Sequence, residues 1–422
     1  MRRTAEMIWH IFSLVLLTGA FIPLWRQQVL GDINLSEGDP VQRLTLGIAY
    51  LGIIFMILQP RRTISVAIRG RLLWILLSWV LLSALWSIAP LITLRRGLAA
   101  CLGALYGLLL VVRYPPKTTL RILGTTLGIV VIASLVAVVV YPMWGVMVGK
   151  DAGAWQGVMT HKNILGRTTV LATIVFFVLL REAGRIQRLI LALLLMLAVG
   201  VLIGSRSFTS LLALLLAFGA WWSMHFMARI HKILRVACVS FGMAIALPTG
   251  FLISAYLEDA ASLFGKSLTL TGRIPLWNAL IPYILERPLL GFGYGAFWFG
   301  QEGPYLGIWN LLPWEPTHAH NGYLDLWLEV GFVGMVLGTA LVLFVLFRTG
   351  RFLLKEKRNH ANQPLYNAGF LFSVSFLFLN GAYALLMESR LGTAIYWVFL
   401  VVVYFYLISE DMSPQKGLNE VT

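Results

Sequence analysis

Three short polar stretches interrupt this strongly apolar chain of 422 residues, and each holds groups able to handle a phosphate or a proton. The first is Ser205-Arg206-Ser207, a tight hairpin between two apolar runs. The second is Thr271-Gly272-Arg273, at the start of a short helical segment. The third is His318-Ala319-His320-Asn321-Gly322-Tyr323, followed by Asp325 and Glu329 at the head of a long apolar run. A charge at membrane depth costs about 3 kcal/mol or more, so such residues mark sites. Two fixed guanidiniums would bind a diphosphate, because arginine offers planar, bidentate contacts to phosphate oxygens. A neutral histidine beside them could accept a proton from a sugar hydroxyl, its pKa lying close to working pH. Trp298, Trp309 and Trp314 would supply flat faces on which sugar rings stack. The sequence holds no Asp-x-Asp pair and no His/Cys cluster, so it points to no metal or other cofactor.

Each residue also has a plainer reading. Arg206 alone fits a helix-end arginine reaching the lipid headgroups, and Arg273 alone fits a loop surface charge. His320 alone fits a structural, hydrogen-bonded histidine. Glu329, and Arg95 and Arg96 at the outer start of another apolar run, fit pairing between helices as well as a site. The Gly293-Tyr294-Gly295 run lacks Gly-x-Gly-x-x-Gly spacing and a strand-to-helix context, so it is no nucleotide loop. Its glycines suit a tight turn close to a helix.

The elements that must position these groups are membrane helices. Hydrophobic residues make up 59% of the chain, charged residues 12%, and the mean hydropathy is +0.82. A soluble domain carries roughly 25% charged residues. Twelve apolar runs approach spanning length, at 7–25, 44–58, 72–88, 94–112, 121–140, 165–180, 189–204, 208–226, 236–256, 326–347, 366–386 and 392–408. They predict an all-α polytopic bundle forming one membrane domain over 1–422. The run behind Arg2 and Arg3 has no convincing cleavage site and reads as a first membrane helix. Cys101 and Cys238 fall inside apolar runs, which argues against a disulfide framework.

The net charge of +15 would suit a nucleic-acid partner, but its distribution argues against one. With the N-terminus in the cytoplasm, 21 of the 33 basic residues fall on the inner side, in its short loops and the termini, and 12 of the 18 acidic residues fall outside. That matches the positive-inside rule with both termini cytoplasmic. The outer loops are unequal: 141–164 is of medium length, and 257–325 is long and rich in Gly, Pro, Trp and Tyr. Within the long loop, Ile274 to Glu286 predicts a helix that Pro282 kinks and Arg287-Pro288 ends. Its Trp277, Leu280, Ile281, Ile284 and Leu285 form a stripe suited to the membrane surface.

Together these residues carry a resemblance. The stretches TGRIPLWNALIPYILERPLLGFGYGAF (271–297) and THAHNGYLDLWLEVGFVG (317–334) resemble the O-antigen ligase and polysaccharide polymerase superfamily, and within it the ExoQ-type exopolysaccharide polymerases. HKNILGR (161–167), SRS (205–207) and WSIAPLITLRRGL (86–98) extend the likeness over nearly the whole chain. The resemblance implies a GT-C-like membrane enzyme of the bacterial inner membrane with its site facing the periplasm. It would transfer a glycan from an undecaprenyl-diphosphate carrier to an acceptor sugar by an inverting, metal-independent route. Arg206 and Arg273 would hold the diphosphate, and His320 would act as base on the acceptor hydroxyl or orient it. Arg96, His161, Asn163, Asn321, Tyr323 and Glu329 would line the substrate site. His318 is the weaker candidate for the base, because the match places the histidine directly before Asn321. A flippase and a chain-length regulator are the implied companions. Polymerase and ligase share these residues and differ mainly in acceptor. A twelve-helix transporter is the rival from another class, but the two halves of the chain show no internal repeat.

Overall fold

Proline opens one helix after another in this chain, where its missing N–H costs nothing and its φ is already helical. The computed structural model describes residues 2–22, 40–231, 234, 273–299, 303–354, 362–387 and 392–410. The first half runs through α1 (Arg2–Leu17), α2 (Pro40–Tyr50, continued as a 3-10 segment Leu51–Leu58), α3 (Pro60–Ala67), α4 (Arg71–Leu82), α5 (Pro90–Arg113) and α6 (Pro116–Val140). After a loop come α7 (Lys162–Glu182), α8 (Arg185–Gly204) and α9 (Phe208–Arg229). The second half has α10 (Arg273–Glu286), α11 (Tyr305–Leu311), α12 (Gly322–Leu354), α13 (Gln363–Asn380) and α14 (Ala394–Glu410). Among the described residues there is no strand, only one isolated bridge between Val146 and Trp155.

Eleven of the twelve predicted runs fall on these helices, and 236–256 lies outside the described residues. Length is more demanding than position. Among the described residues six helices, α5 to α9 and α12, are long and apolar enough to cross a membrane, and one bent pair would make a seventh. That pair corrects the reading of 44–58 as a plain span: after Leu58 the chain turns by 107° into α3. Gln59 leaves helical geometry (φ −142°, ψ 58°) and Pro60 restarts the helix. The last predicted run, on α14, is short for a span but is the most enclosed helix, with Ile395 to Phe405 almost wholly buried.

Glycines let α5, α13 and α14 approach closely. A Cβ at Gly107 would lie 2.7 Å from Val401, and one at Gly369 2.6 Å from Val403. Small residues at helix contacts are how membrane helices pack, since lipid gives no hydrophobic push between them. By contrast α8 turns Ile186, Leu189, Leu193 and Met196 outward, as a lipid-facing helix does.

The bundle has two distinct ends. At one, Arg113 grips Glu6 through two hydrogen bonds of 2.7 and 2.6 Å. At the other, the C-terminal end of α1 meets the loop before α14 (Gly392 N to Leu17 O, 3.2 Å) and residue 158 (Phe21 N to Val158 O, 2.9 Å). Trp155 N donates to Gly204 O there at 2.9 Å, which brings the α6–α7 loop onto the α8–α9 hairpin. Arg206, Arg273 and the histidine turn at 318–323, from the polar stretches singled out in the sequence, lie at this second end.

Candidate functional site

The site begins with a break in a helix. Within α12 Gly331 adopts φ 70°, ψ −178°, a conformation essentially reserved for glycine. The chain at 288–293 docks into the gap. Phe332 N donates to Pro288 O (2.9 Å), Phe292 N to Leu328 O (2.8 Å) and Gly293 N to Glu329 O (2.8 Å). Three tryptophans satisfy carbonyls around the break: Trp79 on Val330 O, Trp86 on Leu290 O and Trp327 on Pro288 O, each at 2.9 Å. Gly291, Gly293 and Gly295 all have positive φ. They give the tight turn against a helix that the sequence suggested.

This turn places Arg96. Its Nη1 donates to Gly295 O at 3.3 Å and its guanidinium lies 3.7 Å over the Phe299 ring. Arg96, Tyr294, Trp298, His318, Asp325 and Glu329 line one small polar cleft, closed on the far side by Ala384 and Leu386. The cleft therefore joins Arg96 and Glu329, two of the predicted lining residues, with His318 and Asp325.

The histidine turn leads into the same helix. Asn321 Oδ1 accepts from Tyr323 N (3.0 Å) and Leu324 N (3.4 Å), capping α12. Asp325, one turn on, reaches back: its Oδ1 accepts from Ala319 N (2.9 Å) and Trp298 Nε1 (2.8 Å). His320 sits at φ 50°, its N–H donating to His318 Nδ1 at 3.0 Å, with the two rings 4.0 Å apart. Trp314 packs 5.4 Å from the His320 ring. Burial, and secondarily the positive charge of Arg273, push the His320 pKa down to about 4. His320 is thus neutral at working pH and able to accept a proton. Arg273, the first residue of α10, is close enough for its charge to be felt at this ring.

Arg206 belongs to a second cluster at the same end of the bundle. It too has positive φ, at 51°. Only four non-glycine residues among those described do so, and two of them are Arg206 and His320. Strain of this type costs about 1–3 kcal/mol and concentrates at functional sites. Arg206 Nη1 donates to Ala152 O at 3.4 Å, and its side chain is exposed. Nearby, Asp151 takes Lys162 Nζ at 2.5 Å and lies 3.8 Å from His161 Nε2. His161 caps α7 by accepting from Asn163 N at 3.2 Å. Burial lowers its pKa, against the opposing pull of Asp151. Residues 235–272, including Thr271 and Gly272, lie outside the described residues.

Several expectations change. Trp298 is no sugar platform: it is buried and spends its N–H on Asp325. Trp309 is tied down by Pro316 O (2.9 Å) and meets Tyr305 edge-to-face. Tyr323 has an internal partner, donating to Leu377 O at 3.0 Å. The α10 stripe divides, because the long loop has a core of its own. Leu280 and Ile284 pack inward with Phe292, Phe297 and Ile308, leaving Ile281 and Leu285 exposed. Sequence reasoning gave Asp325 no role. Its signal was an acid in the first turn of a helix, placed to bond back to N–H groups ahead of the cap.

Comparison with known proteins locates this geometry. Residues 191–339 match the O-antigen ligase family. The matched segment holds Arg206, Arg273, the histidine turn, Asp325, Glu329 and the break at Gly331. It does not include Arg96, His161 or Asn163. The exopolysaccharide production protein ExoQ of Rhizobium meliloti is 28% identical over 186 residues, 42% of each chain. A Rickettsia conorii protein, provisionally assigned as a polysaccharide ligase, is 33% identical over 73 residues, 17% of this chain and 18% of its own. The chain thus matches less than half the length of either relative. The O-antigen ligase match nevertheless encloses both positive-φ site residues, on α8–α9 and before α12, within one segment.

Proposed function

We propose that the chain is an inverting, metal-independent glycosyltransferase that extends glycan repeat units carried on undecaprenyl diphosphate. It works as an exopolysaccharide polymerase at the periplasmic face of the bacterial inner membrane. The proposal includes a GT-C-like bundle of about twelve spans with both termini cytoplasmic, and a flippase and chain-length regulator as companions. The observation that carries it is a neutral, partly buried His320 placed within reach of the Arg273 charge, inside the segment that matches the O-antigen ligase family.

In the proposed step the acceptor hydroxyl oxygen attacks the donor's anomeric carbon from the face opposite the diphosphate. The new C–O bond forms as the bond to phosphate breaks, and the acceptor's proton passes to His320. Undecaprenyl diphosphate leaves with the bonding pair, its charge met by Arg273 and Arg206. Guanidiniums aimed at charge that develops in the transition state contribute about 3 kcal/mol each, on the order of 10²-fold in rate. A diphosphate beside Arg273 would also offset the charge that depresses His320 and so strengthen the base when donor is bound.

A second reading, transfer to a lipid A–core acceptor, has support in the O-antigen ligase match itself and in the ligase assignment of the second relative. Purified protein in nanodiscs, supplied with lipid diphosphate-linked repeat units and chelator, separates these. Longer lipid-linked chains from wild type, absent with His320→Ala, are expected. Product only on a lipid A–core acceptor would make it a ligase. Substrate-dependent flux in proteoliposomes without transfer would make it a transporter.

A further inference from the structure

At the end of the bundle opposite Arg206, a groove of about 440 Å³ opens sideways between α6, α7 and α8. Its walls are apolar, Ile129 and Ile132 of α6 facing Ile190 and Leu194 of α8, with Gly124 and Gly128 leaving room along the floor. Its mouth is charged. Lys117 and Arg121, one turn apart on α6, stand on one side and Glu182 on the other. Arg188 donates to the rim carbonyl of Ala183 at 3.2 Å. Among the described residues lining the mouth the only carboxylate, Glu182, lies 3.5 Å from Lys117, and both side chains are about two-fifths exposed. A pair that exposed is weak and readily exchanged for another anion. Arg121 makes no ion pair among the described residues. Both α6 and α8 begin at this mouth and α7 ends there, so two positive helix-dipole ends stand against one negative end and the balance adds to the cations.

We propose that this groove holds one anionic glycerophospholipid of the leaflet opposite the candidate site, its acyl chain between α6 and α8 and its phosphate at Lys117 and Arg121. Cationic mouth and apolar slot together match that one molecule. A zwitterionic lipid has a compensating charge where the cations stand. A polyprenyl diphosphate bound at the arginine cluster would approach from the other end of the bundle. Basic pockets between membrane helices bind anionic headgroups, with about 1 kcal/mol from each Lys or Arg near the surface.

The test is native mass spectrometry of the full chain delipidated and then given phosphatidylglycerol, phosphatidylcholine or undecaprenyl phosphate. Wild type should retain one phosphatidylglycerol under conditions that strip phosphatidylcholine. Lys117→Gln with Arg121→Gln should cut that retention about ten-fold or more. Gly128→Phe should cut it too by filling the slot, since a Cβ there meets only ordinary contacts at 3.7 Å and beyond. If Gly128→Phe does not assemble, the exposed double substitution decides alone. Equal retention of both phospholipids, preference for undecaprenyl phosphate, or full retention by the double variant would overturn the assignment.

Discussion

Replacing Asp325 with alanine tests whether the histidine turn is held by the helix behind it. The Asp325 side chain is 5% exposed and one oxygen accepts from both Trp298 Nε1 and Ala319 N. Its removal strands two buried donors at about 1–3 kcal/mol each, hence about 2–6 kcal/mol together. Asparagine keeps an acceptor oxygen but loses the charge, so Asp325→Asn should cost about 1–3 kcal/mol. Trp298→Phe keeps the ring and removes one donor, leaving Asp325 on Ala319. The function follows from where the second donor lies: Ala319 N is the residue between His318 and His320. A freed turn lets the His320 ring drift, and about 1 Å of misplacement can cost on the order of 10²-fold. Thermal unfolding in detergent and steady-state transfer should be measured on the same samples. The order expected in both is wild type, Trp298→Phe, Asp325→Asn, Asp325→Ala. The loss of activity should fall in kcat, with KM for the donor little changed, because Asp325 positions the histidine without touching the diphosphate. Wild-type turnover from a destabilised Asp325→Ala would show that the turn is not held this way. Loss through KM alone would place Asp325 in donor binding.

The pH profile follows from the lowered His320 pKa. A base must be unprotonated to act, so kcat/KM, which reports the free enzyme, should hold as pH falls to about 5 and drop toward pH 4. The acid limb of kcat should lie higher, because a bound diphosphate opposes Arg273. A kcat/KM limb centred near 6.5 would contradict the burial account. Arg206→Ala and Arg273→Ala should each lower transfer about 10²-fold. Lysine at either position should restore only part of it, since an ammonium lacks the planar fork; full activity in either alanine variant would remove that residue from the mechanism. Gly331→Ala should cost about 1–3 kcal/mol from backbone strain alone, and more from the clash of its Cβ with the Leu289 backbone, read as lower yield and melting temperature. An unchanged protein would mean that the helix break does not depend on glycine.

Much of the fold was legible because a membrane imposes a coarse rule: runs of apolar residues between basic clusters are helices. Finer features were not, and the reasons are particular. The segment 44–58 reads as one apolar run, and hydropathy says nothing of the turn that Gln59 and Pro60 impose. Trp298 looked like a sugar platform because a tryptophan offers the same ring to a ligand or to a core. Only the position of Asp325 decides between them. Gly293 and Gly295 were readable as a turn near a helix, since φ is a local property. That the helix would be α12, interrupted to receive them, is a long-range fact. The candidate residues stand out in the sequence by type, whereas their grouping in space does not. Arg273 and His320 come together through the loop's own core, and Arg206 joins Asp151 and His161 instead.

The break in α12 gives that grouping a physical cause. Glu329 lies two residues before Gly331, and its carbonyl accepts from Gly293, so the interruption of the helix also sets where this carboxylate enters the cleft. The next residues of the same turn carry the constraint outward. Tyr294 N donates to Ser83 Oγ at 3.1 Å, its hydroxyl reaches Met387 O, and Gly295 O takes Arg96. One glycine-rich turn thus ties the α4–α5 corner, the broken helix and the α13–α14 loop into a single frame around Arg96, Glu329 and the histidine turn. A regular helix at 331 would satisfy the Val330 carbonyl that Trp79 holds and leave no free N–H at Phe332 for Pro288 O. The same local cost that makes Gly331 unfavourable as helix is what lets residues from four separate elements meet around one cleft.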